Sequence, residues 1–166
     1  MKIEIFTFMF VGQMRPCLIE FLTNPPKFTV LTDARIHRLP NTPRVQTDGS
    51  FGSNTISRTA FLYRDRKGKD TRQVKTYFHH KIPTESEWCS VLDAMKYASK
   101  RDEGFLEVEN DNLGIVRMLI REIEPVNPIH YPYYSSIQTQ LKNFDYVAIR
   151  WIPREMNSAH DIFRLK

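Results

Sequence analysis

From Arg44 onward the chain reads as strand-like segments whose separators change character, first tight turns and then helices. Arg44 to Phe51, Arg58 to Arg64 and Thr71 to Ile82 carry the apolar, β-branched and aromatic residues of strands. Between the second and third, Asp65 to Asp70 is charged and contains Gly68, as a hairpin turn requires. Thr84 to Lys100 then shows Trp88, Val91, Leu92, Met95 and Ala98 at helical spacing, and Thr84 with Glu87 three residues on matches a capping box. Phe105 to Asn110 alternates as a strand, Asn112 to Ile123 and Tyr134 to Lys142 are helical, Tyr146 to Ile152 is a strand, and Glu155 to Leu165 closes as a short helix. Strands joined by tight turns pair antiparallel, whereas strands separated by helices add in parallel. The expectation is an α/β fold: a five-stranded mixed sheet, a three-strand antiparallel meander plus two parallel strands, flanked by helices.

The segment before this pattern is expected to be separate in character. Ile3, Ile5 and Phe8 to Val11 suggest a strand, Lys27 to Ile36 another, and Asn24-Pro25-Pro26 a break between them. We therefore divide the chain into an N-terminal extension, 1–43, with strands packed on the main domain, and a main domain, 44–166. A length of 166 residues suits one core. An apolar fraction of 41% with 26% charged residues is that of a soluble globular chain. The N-terminus has Glu4 and no clean apolar run, which argues against a signal peptide, and it is too short in apolar residues to span a membrane. Cys17 and Cys89 stand far apart, giving neither a zinc spacing nor a disulfide framework, so a reducing, cytoplasmic setting is expected. The net charge of +5 leans weakly towards a polyanionic partner.

The chemistry lies in the acids at element boundaries. Asp48 falls in the first strand beside Gly49, Glu87 in the first turn of the first helix, Asp111 where the fourth strand passes to a helix, and Asp161 in the last helix. Singly, each has a commoner explanation as a turn, dipole-compensating, capping or solvated residue. Jointly they are a set of hard oxygen donors suited to Mg2+ or Mn2+. Glu85 competes with Glu87, but Glu87 shares a helix row with Val91, Ala94 and Ala98 that should face the sheet. Glu109 competes with Asp111 and shares its strand face by parity; Asp111 is preferred for its place at the strand end.

In these blocks the sequence resembles the ribonuclease H family, most closely its reverse-transcriptase-like branch. The matching stretches are Thr47-Asp48-Gly49-Ser50-Phe51 with Asn54; Tyr63-Arg64-Asp65 with Gly68; Glu87 to Ala98; Leu106 to Leu113; and Ile152-Pro153-Arg154-Glu155-Met156-Asn157 with Asp161. The resemblance implies a ribonuclease H-like fold from Arg44 to the C-terminus. It also implies that Asp48, Glu87 and Asp111 are the central metal ligands, with Asp161 as a more adjustable fourth. It implies two Mg2+ or Mn2+ ions and endonucleolytic hydrolysis of the RNA strand of an RNA–DNA hybrid. Other nucleic-acid substrates, or a non-catalytic nucleic-acid or protein-binding module of the same fold, remain as alternatives. The loop Trp151 to Met156 has no counterpart to the mobile His of some family members, and His160 stands where the family usually has Ala.

Ser50, Asn54, Thr84 and Ser86 lie near the expected site and offer neutral hydrogen bonds to phosphates and 2′-hydroxyls, with turn and cap chemistry an equal reading. Arg64, Arg66, Lys67 and Lys69 form a basic hairpin, read first as a solvated turn. Trp88 is read as core, and His79 and His80 give no metal-ligand spacing.

Overall fold

The computed structural model describes residues 30–31, 41–52, 56–101 and 104–164. Its strands are β1 (Val30–Leu31), β2 (Arg44–Phe51), β3 (Ser57–Arg64), β4 (Asp70–Tyr77), β5 (Phe105–Asn110) and β6 (Tyr146–Trp151). Its α-helices are α1 (Pro83–Ser99), α2 (Leu113–Leu119), α3 (Tyr131–Leu141) and α4 (Ser158–Ile162). The sheet order is β1-β6-β5-β2-β3-β4. β2, β3 and β4 form the antiparallel meander, and β2, β5 and β6 run parallel. The five-stranded mixed sheet expected from the separators is therefore present. Val30 and Leu31 add a two-residue parallel strand against Val147 and Ala148 at its edge. The expected strand around Ile3 to Val11 lies outside the described residues. Among the described residues, no helix is long and apolar enough to cross a membrane.

Two layers bury the sheet. Trp88, Val91, Met95 and Ala98 of α1 pack on Val45, Phe61, Val108 and Ile149, with Ile115 of α2 and Ile137 of α3 completing that core. Trp88 is fully buried, and its indole N–H donates to His130 Nδ1 at 2.8 Å. On the opposite face Ala159 and Ile162 of α4 cover Ala60 and Leu62. The β3–β4 hairpin closes through Gly68 at φ +80, with Asp65 Oδ1 accepting from the backbone N–H groups of Lys67 and Lys69 at 2.9 Å each.

Some boundaries differ from the sequence reading, for identifiable reasons. β4 stops at Tyr77 because its partner begins at Ser57, directly opposite, so no ladder remains for Phe78 to Ile82. α1 begins at Pro83, a residue suited to the first helical position because it lacks an N–H. That start makes Glu85, not Glu87, the third helical residue. Glu85 Oε2 accepts from the backbone N–H of Lys81 and, at 3.1 Å, of Ile82. The capping role read into Thr84 and Glu87 belongs to Glu85, and Glu87 is left over for other work. α2 ends at Leu119, four residues early, because Arg121 takes φ +61 and the Glu122 N–H returns to Arg117 O at 2.9 Å. This is a Schellman termination, usually made by glycine, and here it carries the cost of a left-handed arginine. The closing helix is interrupted: Arg154–Met156 is a 3-10 turn, and α4 restarts after Asn157, whose side chain accepts from the Ala159 N–H.

Candidate metal centre

β2 and β5 are parallel and their last pair is Thr47 opposite Asn110, so Asp48, still within β2, and Asp111, just past β5, follow side by side where that ladder ends. Glu87 arrives from α1. A Cβ on Gly49 would sit 2.4 Å from Glu87 N and 2.5 Å from Ser86 C, so only glycine lets β2 pass this close to the helix. That contact lets the Gly49 N–H donate to Glu87 Oε2 at 3.2 Å. One carboxylate oxygen from each of Asp48, Glu87 and Asp111 then lies within 4.8 Å of the others. Three acids from β2, α1 and the end of β5 are thus brought together, as their places at element boundaries suggested.

Each of the three has a donor. His160 Nδ1 lies 2.8 Å from Asp48 Oδ2. Asn157 Nδ2 donates to Asp111 Oδ1 at 3.2 Å and to Thr47 O at 2.8 Å. Asn110 Nδ2 donates to Thr47 Oγ1 at 2.9 Å and approaches Glu87 Oε2 at 3.5 Å. The sequence singled out neither Asn110 nor Asn157, and marked His160 only as a departure from the family's usual Ala, with packing the preferred reading. Asn110 and Asn157 stand inside the quoted motif blocks, but their amide roles depend on what crosses them in space.

The electrostatics are those of crowded acids. Burial, and then the charges of Asp48 and Asp111, push the Glu87 carboxyl up to about 8. Burial also raises Asp48, against the opposing hydrogen bond from His160. Two ionised carboxylates at 4.8 Å repel by about 3 kcal/mol at an effective dielectric near 20. A divalent cation among them reverses that sign, and an all-oxygen donor set suits a hard ion. The residues present therefore fit a divalent metal.

The competitors are accounted for elsewhere. Glu109 is fully buried, accepts from Gln46 Nε2 at 2.9 Å and lies 3.8 Å from Arg150 Nη1. Burial opposes ionisation of Glu85, but the Lys81 and Ile82 N–H groups outweigh it and hold its carboxyl below the usual range. Asp161 is not brought to the other three: its side chain is 70% exposed and 3.8 Å from Arg164 Nη1. Ser86 is buried and donates within the helix to Pro83 O at 2.7 Å. Thr84 is half-buried, with its hydroxyl oxygen enclosed and without a hydrogen-bond partner. Ser50 lies on β2 opposite Arg58, half-buried, while Asn54 lies outside the described residues. In the basic hairpin, Arg64 donates to Asp70 at 2.7 and 2.9 Å.

The sheet order, the helices on its faces and the acids within β2 and just past β5 define a ribonuclease H-like fold. Solved structures share it. The RNase H1 of the halophilic archaeon Halobacterium salinarum NRC-1 superposes with a TM-score of 0.66 at 16% identity, over 70% of this chain and 89% of that one. The N-terminal RNase H domain of a Mycobacterium tuberculosis protein gives 0.63 at 15%, over 72% and 88%. LC11-RNase H1, solved in complex with an RNA/DNA hybrid, gives 0.59 at 18%, over 70% and 88%. No curated protein matches the sequence. The reverse transcriptase-like family model matches residues 46–163, and the chain belongs to that ribonuclease H-like family.

Proposed function

We propose that this protein is a metal-dependent endonuclease that hydrolyses the RNA strand of RNA–DNA hybrids. The observation that carries the proposal is the convergence of Asp48, Glu87 and Asp111 from three separate elements within 4.8 Å. Carboxylates held this close, one buried and two half-buried, raise the free energy of the metal-free fold, and such a site points to a ligand that relieves it. These three residues would hold Mg2+ or Mn2+, and two such ions, when bound, supply Lewis-acid activation of water and charge neutralisation at a phosphodiester. The chain's own contribution is to fix the oxygens. The β2–β5 register sets the Asp48–Asp111 separation, Gly49 brings in Glu87, and the amides of Asn110 and Asn157 orient Glu87 and Asp111. Asp161, exposed beside Arg164, is given a minor share in metal affinity.

The hybrid is preferred as substrate because the fold is shared with an RNase H1 whose structure holds an RNA/DNA hybrid. We assign the catalytic unit to 44–166, with 1–43 as an added segment, and place the substrate's phosphates and sugars near Ser50, Asn54 and Thr84. Cleavage of a labelled hybrid beside duplex DNA and duplex RNA, with Mg2+ or Mn2+, tests the proposal. Wild type should cut the hybrid, and Asp111→Asn should lose at least about a hundredfold in rate, a loss near 3 kcal/mol. Equal rates in the two proteins would reject the site. Cleavage confined to another nucleic acid would reject the substrate.

A further inference from the structure

The last helix was expected to bring a fourth carboxylate. Instead the residue beside it, His160, reaches the site, and the geometry points to a definite task for that ring. His160 is half-buried, and its Nδ1 lies 2.8 Å from Asp48 Oδ2. An ionised carboxylate only accepts, so Nδ1 carries the hydrogen in that pair. Arg154 Nη2 lies 3.2 Å from Nδ1 and 3.3 Å from Nε2, against the face of the ring, and Arg164 Nη2 lies 3.4 Å from Nε2. Asp48 at one edge, Arg164 at the other and Arg154 against the face hold the imidazole in place. Asp48 in turn has one oxygen committed to His160 and the other left for a cation.

We propose that His160 is a positioning residue that locks the Asp48 carboxylate in a one-oxygen binding geometry and thereby raises the affinity of the site for divalent metal. The inference rests on the metal-site reading above and deepens it. It concerns a group that touches a ligand rather than the ion. Among the described residues the acidic group that shares one small volume consists of Asp48, Glu87 and Asp111 without His160. Groups that hydrogen-bond to metal ligands commonly contribute ten- to a hundredfold in affinity. In this chain α4 supplies a brace for Asp48 and leaves Asp161 beside Arg164.

The test is calorimetric titration of the chelator-stripped full chain with Mn2+. It compares wild type with His160→Ala, His160→Leu, His160→Asn and Asp48→Asn. His160→Ala and His160→Leu should each weaken Mn2+ binding by about tenfold or more. His160→Asn should return to within about threefold of wild type, because its amide N–H stands near the position of imidazole Nδ1. Leucine fills the space without donating, so rescue by asparagine alone separates positioning from packing, and the comparison survives if the alanine variant fails to fold. Wild-type affinity in His160→Leu, or no gain of asparagine over leucine, overturns the proposal. So does electron spin echo modulation from a directly bound nitrogen in the Mn2+-loaded wild type. If wild type binds no Mn2+, or Asp48→Asn binds as well as wild type, the metal-site reading itself fails and takes this inference with it.

Discussion

Replacing Glu87 with glutamine should make the metal-free protein more stable at neutral and alkaline pH, although it removes a charged group that accepts hydrogen bonds from Gly49 and Asn110. Burial and the neighbouring charges of Asp48 and Asp111 move the Glu87 carboxyl from 4.5 to about 8. A carboxyl raised on folding binds its proton more tightly in the native state. Its contribution is therefore fully present below 4.5 and is lost as pH rises through about 8. Linkage puts the loss between pH 5 and pH 8 at roughly 3 kcal/mol. Glutamine stays neutral and keeps an oxygen for the Gly49 N–H, so at most about 1 kcal/mol of hydrogen bonding is given back. Urea unfolding in excess chelator at pH 5, 7 and 8 measures the difference. The two proteins should be close at pH 5, and the variant should lead by roughly 2 kcal/mol at pH 8. Addition of Mn2+ should reverse the order by stabilising wild type more. Parallel pH profiles in chelator, or a variant less stable throughout, would refute the crowding of acids on which the metal centre depends.

Gly49→Ala should cost about 3 kcal/mol, because the added methyl meets backbone atoms of Ser86 and Glu87 rather than a movable side chain; a denaturation midpoint equal to wild type would contradict the close approach. Mn2+ affinity should rise about tenfold per pH unit up to about 8, since the Glu87 proton must leave on binding; titration calorimetry showing a flat profile from pH 6 to pH 8 would count against it. Glu85→Gln should lose about 1 kcal/mol at pH 7 through the weakened cap of α1, with Mn2+ affinity unchanged, because its carboxylate serves Lys81, Ile82 and the Tyr133 hydroxyl. A large loss of metal binding in that variant would mean that the assignments of Glu85 and Glu87 are reversed.

The amino-acid sequence by itself determined the elements and their order. Alternation in Phe105 to Asn110, the turn chemistry of Asp65 to Gly68 and the apolar stripe of α1 are local signals, and local signals survive without knowledge of neighbours. It also named Asp48, Glu87 and Asp111, because acids at element ends in family-like blocks are visible in one dimension. The early stop of α2 was not legible, since a left-handed Arg121 carries none of the glycine signal that marks such an end. The capping acid of α1 was not legible either: which residue is third depends on where the helix starts, and the start at Pro83 makes it Glu85.

Only the tertiary structure could choose between acids of equal local standing. Glu109 and Asp111 share a strand face, yet one is enclosed beside Gln46 and Arg150 while the other opens onto Glu87. His160 and Asp161 are adjacent, yet α4 turns the histidine to Asp48 and leaves the acid with Arg164. Proximity across 112 residues of chain is set by sheet register and helix rotation, and neither has a one-dimensional trace. The sequence specifies which groups are available for chemistry; packing specifies which of them meet.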